Sequence, residues 1–152
     1  MITINRSFTD HRKHAARRIR CALQCASVAA MAMAAMAQAQ TEILLSKNAL
    51  TTASSELQAA NLAVDGNLAT RWESTHGVNT ASITVDLGNS YDLSRAIIRW
   101  EAANAANYTL QGSTNNTTWT TLTTQTNGQF GARTDTLTVS GNYRYVRMNG
   151  TA

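Results

Sequence analysis

Ser82-Ile83-Thr84-Val85-Asp86-Leu87-Gly88 alternates polar and apolar residues with period two. That is the pattern of a strand with one face buried and one face wet. Downstream, Arg95–Trp100 is a second, more apolar run, and Asn107–Gly112 a third. Ser113–Asn116 supplies a turn, and Trp119–Leu122 a fourth strand. Thr134–Ser140 is a fifth, turning at Gly141-Asn142 into a sixth, Tyr143–Met148. Upstream, Ala49–Ala63 is less periodic and reads as loop with a helical turn. Short alternating strands at roughly ten-residue spacing predict an all-β fold, an antiparallel sandwich or jelly roll. Val85 and Trp100 are expected inside it, and Trp72 and Trp119 are large enough to belong there too. Threonine and asparagine dominate, proline is absent, and no linker, coiled-coil pattern or internal repeat interrupts the run.

The formal charge of +4 is unevenly distributed. Six of the thirteen basic residues (Arg6, Arg12, Lys13, Arg17, Arg18, Arg20) precede residue 21. An alanine-rich apolar stretch, Cys21–Met36, follows and ends in Ala37-Gln38-Ala39. A basic segment, an apolar segment and an Ala-x-Ala site together predict a secretory signal peptide over residues 1–39 and an extracellular or periplasmic product. The apolar stretch is short for a membrane span, and Gln24 and Ser27 interrupt it. The expected mature domain, 40–152, carries seven basic and eight acidic residues, a net charge of −1. No basic patch points to nucleic acid. Cys21 and Cys25 both fall in the leader, which leaves the domain without a disulfide or a cysteine nucleophile. About 113 residues suffice for one core, and a monomer is expected.

Asn61–Glu73 concentrates the polar chemistry. Asp65, Asn67 and Thr70 offer oxygens at i, i+2 and i+5 around Gly66. Ca²⁺ takes such a loop, with several oxygens on a tight turn. Asp-Gly-Asn is equally ordinary turn chemistry, and spacing alone leaves both readings open.

Taken in order, these pieces resemble a known family. Leu50–Glu56, Ala63–Trp72, Ile83–Gly88, Arg99–Ala103, Tyr108–Gln111, Trp119 and Tyr145–Ala152 match the discoidin, or coagulation-factor type C, domain. More narrowly, they resemble bacterial family 32 carbohydrate-binding modules, above all those attached to chitosan- and glucan-degrading enzymes. The resemblance implies a discoidin-like jelly roll that binds a polysaccharide or glycan through loops at one end. It implies a structural Ca²⁺ held by Asp65, Asn67, Thr70 and the carbonyl of Leu62. It assigns sugar contacts to Glu56, Arg71, His76 and Glu101. His76 stands where the look-alikes carry an aromatic platform, and Asn104 replaces a frequent tyrosine. The family continues past Gly150-Thr151-Ala152 with a final strand that carries a metal-ligating glutamate. The C-terminal strand is therefore expected to be missing, which leaves a sheet edge exposed and the cation shell underfilled. Ser82 replaces a frequent tryptophan and thins the packing.

Each candidate also has a plainer role. Arg71 can pair with Asp86 or Glu101, Glu101 can pair with Arg99, and Glu56 can cap a helical turn. His76 can be a solvated loop residue, and Glu73 with His76 is a thin metal signal. Glu56 and Glu101 are the pair to consider for glycoside hydrolysis, but no Ser-His-Asp order or phosphate loop accompanies them. A non-catalytic module is expected. The alternative is a protein- or lipid-binding adhesion domain, although the loops lack the aromatic spikes that membrane insertion needs.

Overall fold

A computed structural model describes residues 1–7 and 42–151. Among them nine strands form two antiparallel sheets. They are β1 (Ile2–Ser7), β2 (Glu42–Leu44), β3 (Leu50–Ala53), β4 (Ala81–Asp92), β5 (Arg95–Trp100), β6 (Tyr108–Ser113), β7 (Thr120–Gln125), β8 (Arg133–Thr138) and β9 (Asn142–Gly150). One sheet runs β2-β1-β5-β8 and the other β3-β4-β9-β6-β7. The all-β antiparallel sandwich predicted from the alternation is the observed architecture.

The inner faces follow the sequence pattern. Ile83, Val85 and Leu87 of β4 point inward with Val146 and Met148 of β9 and Leu110 of β6. Ala96 and Ile98 of β5 face them from the opposite sheet. Burying each large aliphatic side chain contributes about 1.5–3 kcal/mol. Gly112 of β6 leaves room for the Tyr143 ring, since a Cβ there would sit 2.6 Å from it. The apolar pattern of β4 ends at Gly88, and the β4–β9 register shifts between Asp86 and Tyr91.

The tryptophans depart from expectation. Trp72, Trp100 and Trp119 pack against the structure but are only half-buried. Each polar edge or exposed face has a specific partner. Trp72 Nε1 donates to the Ser55 carbonyl (2.9 Å), Trp100 Nε1 to Asp135 (2.7 Å), and the Arg147 guanidinium lies 4.1 Å over the Trp119 ring. The segment Ala49–Ala63 contains a strand, β3, as well as the expected turn, a 3-10 turn at Ala60–Ala63.

The edge expected to lie open is occupied. Met1–Ser7 runs between β2 and β5, antiparallel to both. The predicted leader spans 1–39, and its residues 8–39 lie outside the described residues. Its residues Ile2–Ser7 are β1, in which Ile4 is fully buried.

Candidate functional site

At one end of the sandwich, the end of β5, the start of β1, the 71–79 loop and the 101–105 loop enclose an open cavity of about 330 Å³. Arg71, His76 and Glu101 all line it, with Trp72 and Trp100 as apolar walls. A second hollow of about 450 Å³ adjoins it and shares Met1, Arg71, Arg99, Trp100 and Glu101. Glu56 lines neither. Its side chain is exposed, although Leu57 beside it donates its amide to the Glu73 carbonyl (2.7 Å).

The organising carboxylate is Glu73. Its Oε1 lies 2.6 Å from His76 Nε2, while Oε2 accepts from Gln58 Nε2 (2.6 Å) and Arg71 (3.2 Å). These contacts, that with His76 first, hold the Glu73 carboxyl below its ordinary pKa. The pairing expected between Arg71 and Asp86 or Glu101 is replaced by this one. Asp86 is instead gripped by Arg144 through two 2.8 Å bonds. Glu101 is exposed and accepts from the Ala103 amide (3.4 Å) rather than pairing with Arg99. Glu56 does not cap the 3-10 turn, which has no side-chain cap. Arg71 and Glu101 thus present opposite charges to one cavity, with an imidazole beside them.

A second hub lies behind the wall. Asp135 Oδ2 accepts from Trp100 Nε1 and from the Tyr108 hydroxyl, both at 2.7 Å. Arg133 Nε approaches the same carboxylate at 3.2 Å, and its guanidinium sits 5.1 Å from the Trp100 ring centre. Burial, followed by the bond to Asp135, pushes the Tyr108 phenol well above its ordinary pKa. Arg133 also donates to the Ala105 carbonyl (2.6 Å) and to Asn104 Oδ1, which ties down the 101–105 loop. Asn104, in the place of a frequent aromatic, returns a bond to the Gly131 carbonyl (2.8 Å). Next to Gly131 in sequence is Phe130, which is 86% exposed.

The Asp65 loop folds back on itself. Gly66 takes φ +84°, which suits a residue without a Cβ. Asp65 Oδ1 then accepts from the Asn67 amide (2.8 Å) and Oδ2 from the Thr70 hydroxyl (2.6 Å). Asn67 Oδ1 accepts from the Ala69 amide (3.0 Å). Leu62 lies in the 3-10 turn that precedes the loop. The set is all oxygen, with a single carboxylate. The described residues contain no group of three or more His, Cys, Asp or Glu suited to a metal. A hard cation fits this donor set, and a soft one does not.

The sandwich and its polar, open-ended cavity define a discoidin-like binding domain of the carbohydrate-binding-module class. Residues 62–148 match the family model described as NedA-like, galactose-binding domain, and the chain belongs to that family. It is similar to chitosan-binding module 1 of a chitosanase/glucanase from Paenibacillus sp. IK-5, with 40% identity over 71% of this chain and 86% of that one, at a TM-score of 0.66. Module 2 of the same enzyme, solved in complex with chitotriose, is 37% identical over 71% of this chain and 87% of its own, at a TM-score of 0.67. A family 32 module of Clostridium perfringens NanJ, solved with galactose, shares the fold at 20% identity and a TM-score of 0.58, over 69% of this chain and 83% of its own. No curated protein matches the chain.

Proposed function

We propose that this domain is an exported, non-catalytic module that binds a polysaccharide or glycan, chitosan- or glucan-like, in the Arg71–His76–Glu101 cavity. The observation that carries the proposal is the convergence of those three side chains on one open cavity with indole walls. A sugar offers hydroxyl donors and acceptors together with an apolar ring face. Arg71 supplies a donor fork, Glu101 a charged acceptor, and Trp72 and Trp100 flat apolar surface at the wall. Likeness to modules solved as chitosan-binding favours a ligand carrying ammonium groups, for which the exposed Glu101 carboxylate is the natural partner. Glu73 is already engaged by three neighbours and orients Arg71 and His76. Glu56 stands outside the cavity and contacts only a chain long enough to extend beyond it.

Isothermal titration with chitosan and neutral β-glucan oligomers tests this. Losing one charge-assisted hydrogen bond costs about 1.5–3 kcal/mol, so Glu101→Ala lowers affinity roughly 10- to 100-fold. Binding of the charged ligand weakens as salt shortens the screening length to about 8–10 Å. Unchanged affinity in both Glu101→Ala and Arg71→Ala overturns the site. Reducing sugar released by the domain would make it an enzyme.

The same proposal extends to Ca²⁺ at Asp65, Asn67, Thr70 and the Leu62 carbonyl. One carboxylate implies a Kd on the order of 10⁻⁴–10⁻³ M, with water completing the six to eight ligands. Thermal unfolding at 10 mM Ca²⁺ then rises modestly in the native chain and does not move in Asp65→Ala. An equal rise in both removes the assignment.

A further inference from the structure

The five-stranded sheet has an outer face built in rows. Ile83, Val85, Leu110, Val146 and Met148 point into the core, so strand alternation turns Thr84, Asp86, Gln111, Tyr145 and Arg147 outward. Cross-strand pairing sets these side chains in line. Thr52, Thr84, Arg147, Gln111 and Thr121 form one row, and Leu50, Asp86, Tyr145 and Ser113 the next. The rows cross four and three strand spacings of about 4.7–4.9 Å, roughly 14–19 Å in all. That length suits an extended chain rather than a single sugar ring.

Two aromatic rings stand on this face, each with a guanidinium against it. Arg147 Cζ lies 4.1 Å from the Trp119 ring centre, and Arg144 Cζ 4.9 Å from that of Tyr145. Trp119, immediately before β7, is half-buried without joining the core cluster against which Trp72 and Trp100 pack. An indole kept outside the core gives up burial that would stabilise the fold. The charges on the face do not cancel. Arg144 is engaged by Asp86 through two 2.8 Å bonds. Arg147 donates through Nε to a neutral partner, Gln111 Oε1 (2.8 Å), and makes no ion pair among the described residues. The Gln111 bond and the Trp119 ring hold this guanidinium in place while its two terminal nitrogens keep their donors. Such a fork matches a carboxylate in a planar, two-bonded contact. The Gln111 amide and the threonine hydroxyls beside it add neutral donors and acceptors.

We propose that this sheet face is a second glycan-binding surface, centred on Arg147 and Trp119, and that its ligand is an acidic polysaccharide. A uronate carboxylate takes the Arg147 fork while the sugar ring packs against the indole and its hydroxyls meet Gln111 and the threonine row. Charge decides the ligand class, because the rows hold one uncompensated guanidinium and no uncompensated carboxylate. That is the reverse of the Glu101 cavity, which favours a cationic chain. None of Arg147, Trp119, Gln111 or Tyr145 lines either hollow at the end of the sandwich, and all four lie within the expected mature domain. The surface therefore works whether or not the end cavity binds chitosan.

The test titrates the full chain with an oligogalacturonate, with its methyl ester, which keeps the sugar and removes the charge, and with oligoglutamate, which keeps the carboxylates without the sugar. Saturable binding of the oligogalacturonate is expected by calorimetry, with a change in indole fluorescence. The ester and the oligoglutamate bind at least tenfold more weakly. Arg147→Gln lowers affinity for the oligogalacturonate roughly 10- to 100-fold, the effect of one lost charge-assisted hydrogen bond. Gln111→Glu, nearly isosteric, places a carboxylate on the Arg147 fork and lowers affinity as much without removing any contact that the fold uses. The fluorescence change disappears in Trp119→Phe. A change that survives there comes from Trp72 or Trp100, puts the ligand in the end cavity and overturns the proposal. So does an absence of oligogalacturonate binding, equal binding of the ester or of oligoglutamate, or unchanged affinity in both Arg147→Gln and Gln111→Glu.

Discussion

Asp135→Ala tests how the cavity wall is built. The carboxylate holds three donors at once: Trp100 Nε1, the Tyr108 hydroxyl and Arg133 Nε. Tyr108 is 1% exposed, so its hydroxyl finds no water when Asp135 is gone. Each buried donor left unsatisfied costs about 1–3 kcal/mol. The side chains of Arg133 and Asp135 are only 14% and 13% exposed, and removing one member of such a pair costs about 3–5 kcal/mol. These costs overlap because one atom's removal causes them all, so we expect a total of about 3–5 kcal/mol. Tyr108→Phe removes one donor and leaves Asp135 two others, for about 1.5–3 kcal/mol. Urea unfolding of both variants measures the difference. If Asp135→Ala costs no more than Tyr108→Phe, the carboxylate is not a hub and the reasoning fails. Indole fluorescence should also shift in Asp135→Ala, since Trp100 loses the bond that orients it in the cavity wall.

Two further predictions follow from the same geometry. Gly112→Ala forces a Cβ to within 2.6 Å of the Tyr143 ring, an overpacking expected to destabilise by about 1–3 kcal/mol in thermal unfolding, and wild-type stability would mean that the ring moves freely aside. Glu73 and Asp86 are held below their ordinary values of 4.5 and 3.8, by His76 and Gln58 and by Arg144 respectively. A depressed carboxylate contributes stability above its unfolded value and loses it as pH falls. The melting temperature should therefore fall below about pH 4.5, less steeply in a Glu73→Gln, Asp86→Asn variant, and identical slopes would refute the assignment.

The strands with one dry face were legible because burial writes itself into the sequence at period two. Ile83, Val85 and Leu87 are the clearest case, and β5 begins and ends where the apolar run does. β2 and β3 left no such trace, because β2 is exposed throughout and β3 only alternates between exposed and half-buried. β1 was hidden differently. Ile2-Thr-Ile4 alternates, but the arginines that follow give it the look of the basic start of a leader. At the site, Arg71, His76 and Glu101 were reachable through the ordered motifs that surround them. The role of Glu73 was not, since its partners Gln58, Arg71 and His76 converge only once the 55–58 and 71–76 segments lie side by side. Asp135 gave still less warning. It is one polar residue in a threonine-rich strand, and only the β5–β8 pairing and the neighbouring β6 bring it to Trp100 and Tyr108.

The position of β9 has a consequence for biosynthesis. This strand lies between β4 and β6, so the five-stranded sheet has a gap through its middle until Asn142–Gly150 has left the ribosome. β1, synthesised first, must likewise wait for β5, nearly a hundred residues later. Neither sheet can close in the order in which its strands are made. The emerging chain therefore stays without a finished core for most of its translation, and a threonine- and asparagine-rich sequence with few long apolar runs suits such a delay. The chain also has no proline, so no slow prolyl isomerisation holds it back once β9 arrives. Late closure followed by fast folding shortens the time for which unpaired strand edges stand exposed once the last strand is available.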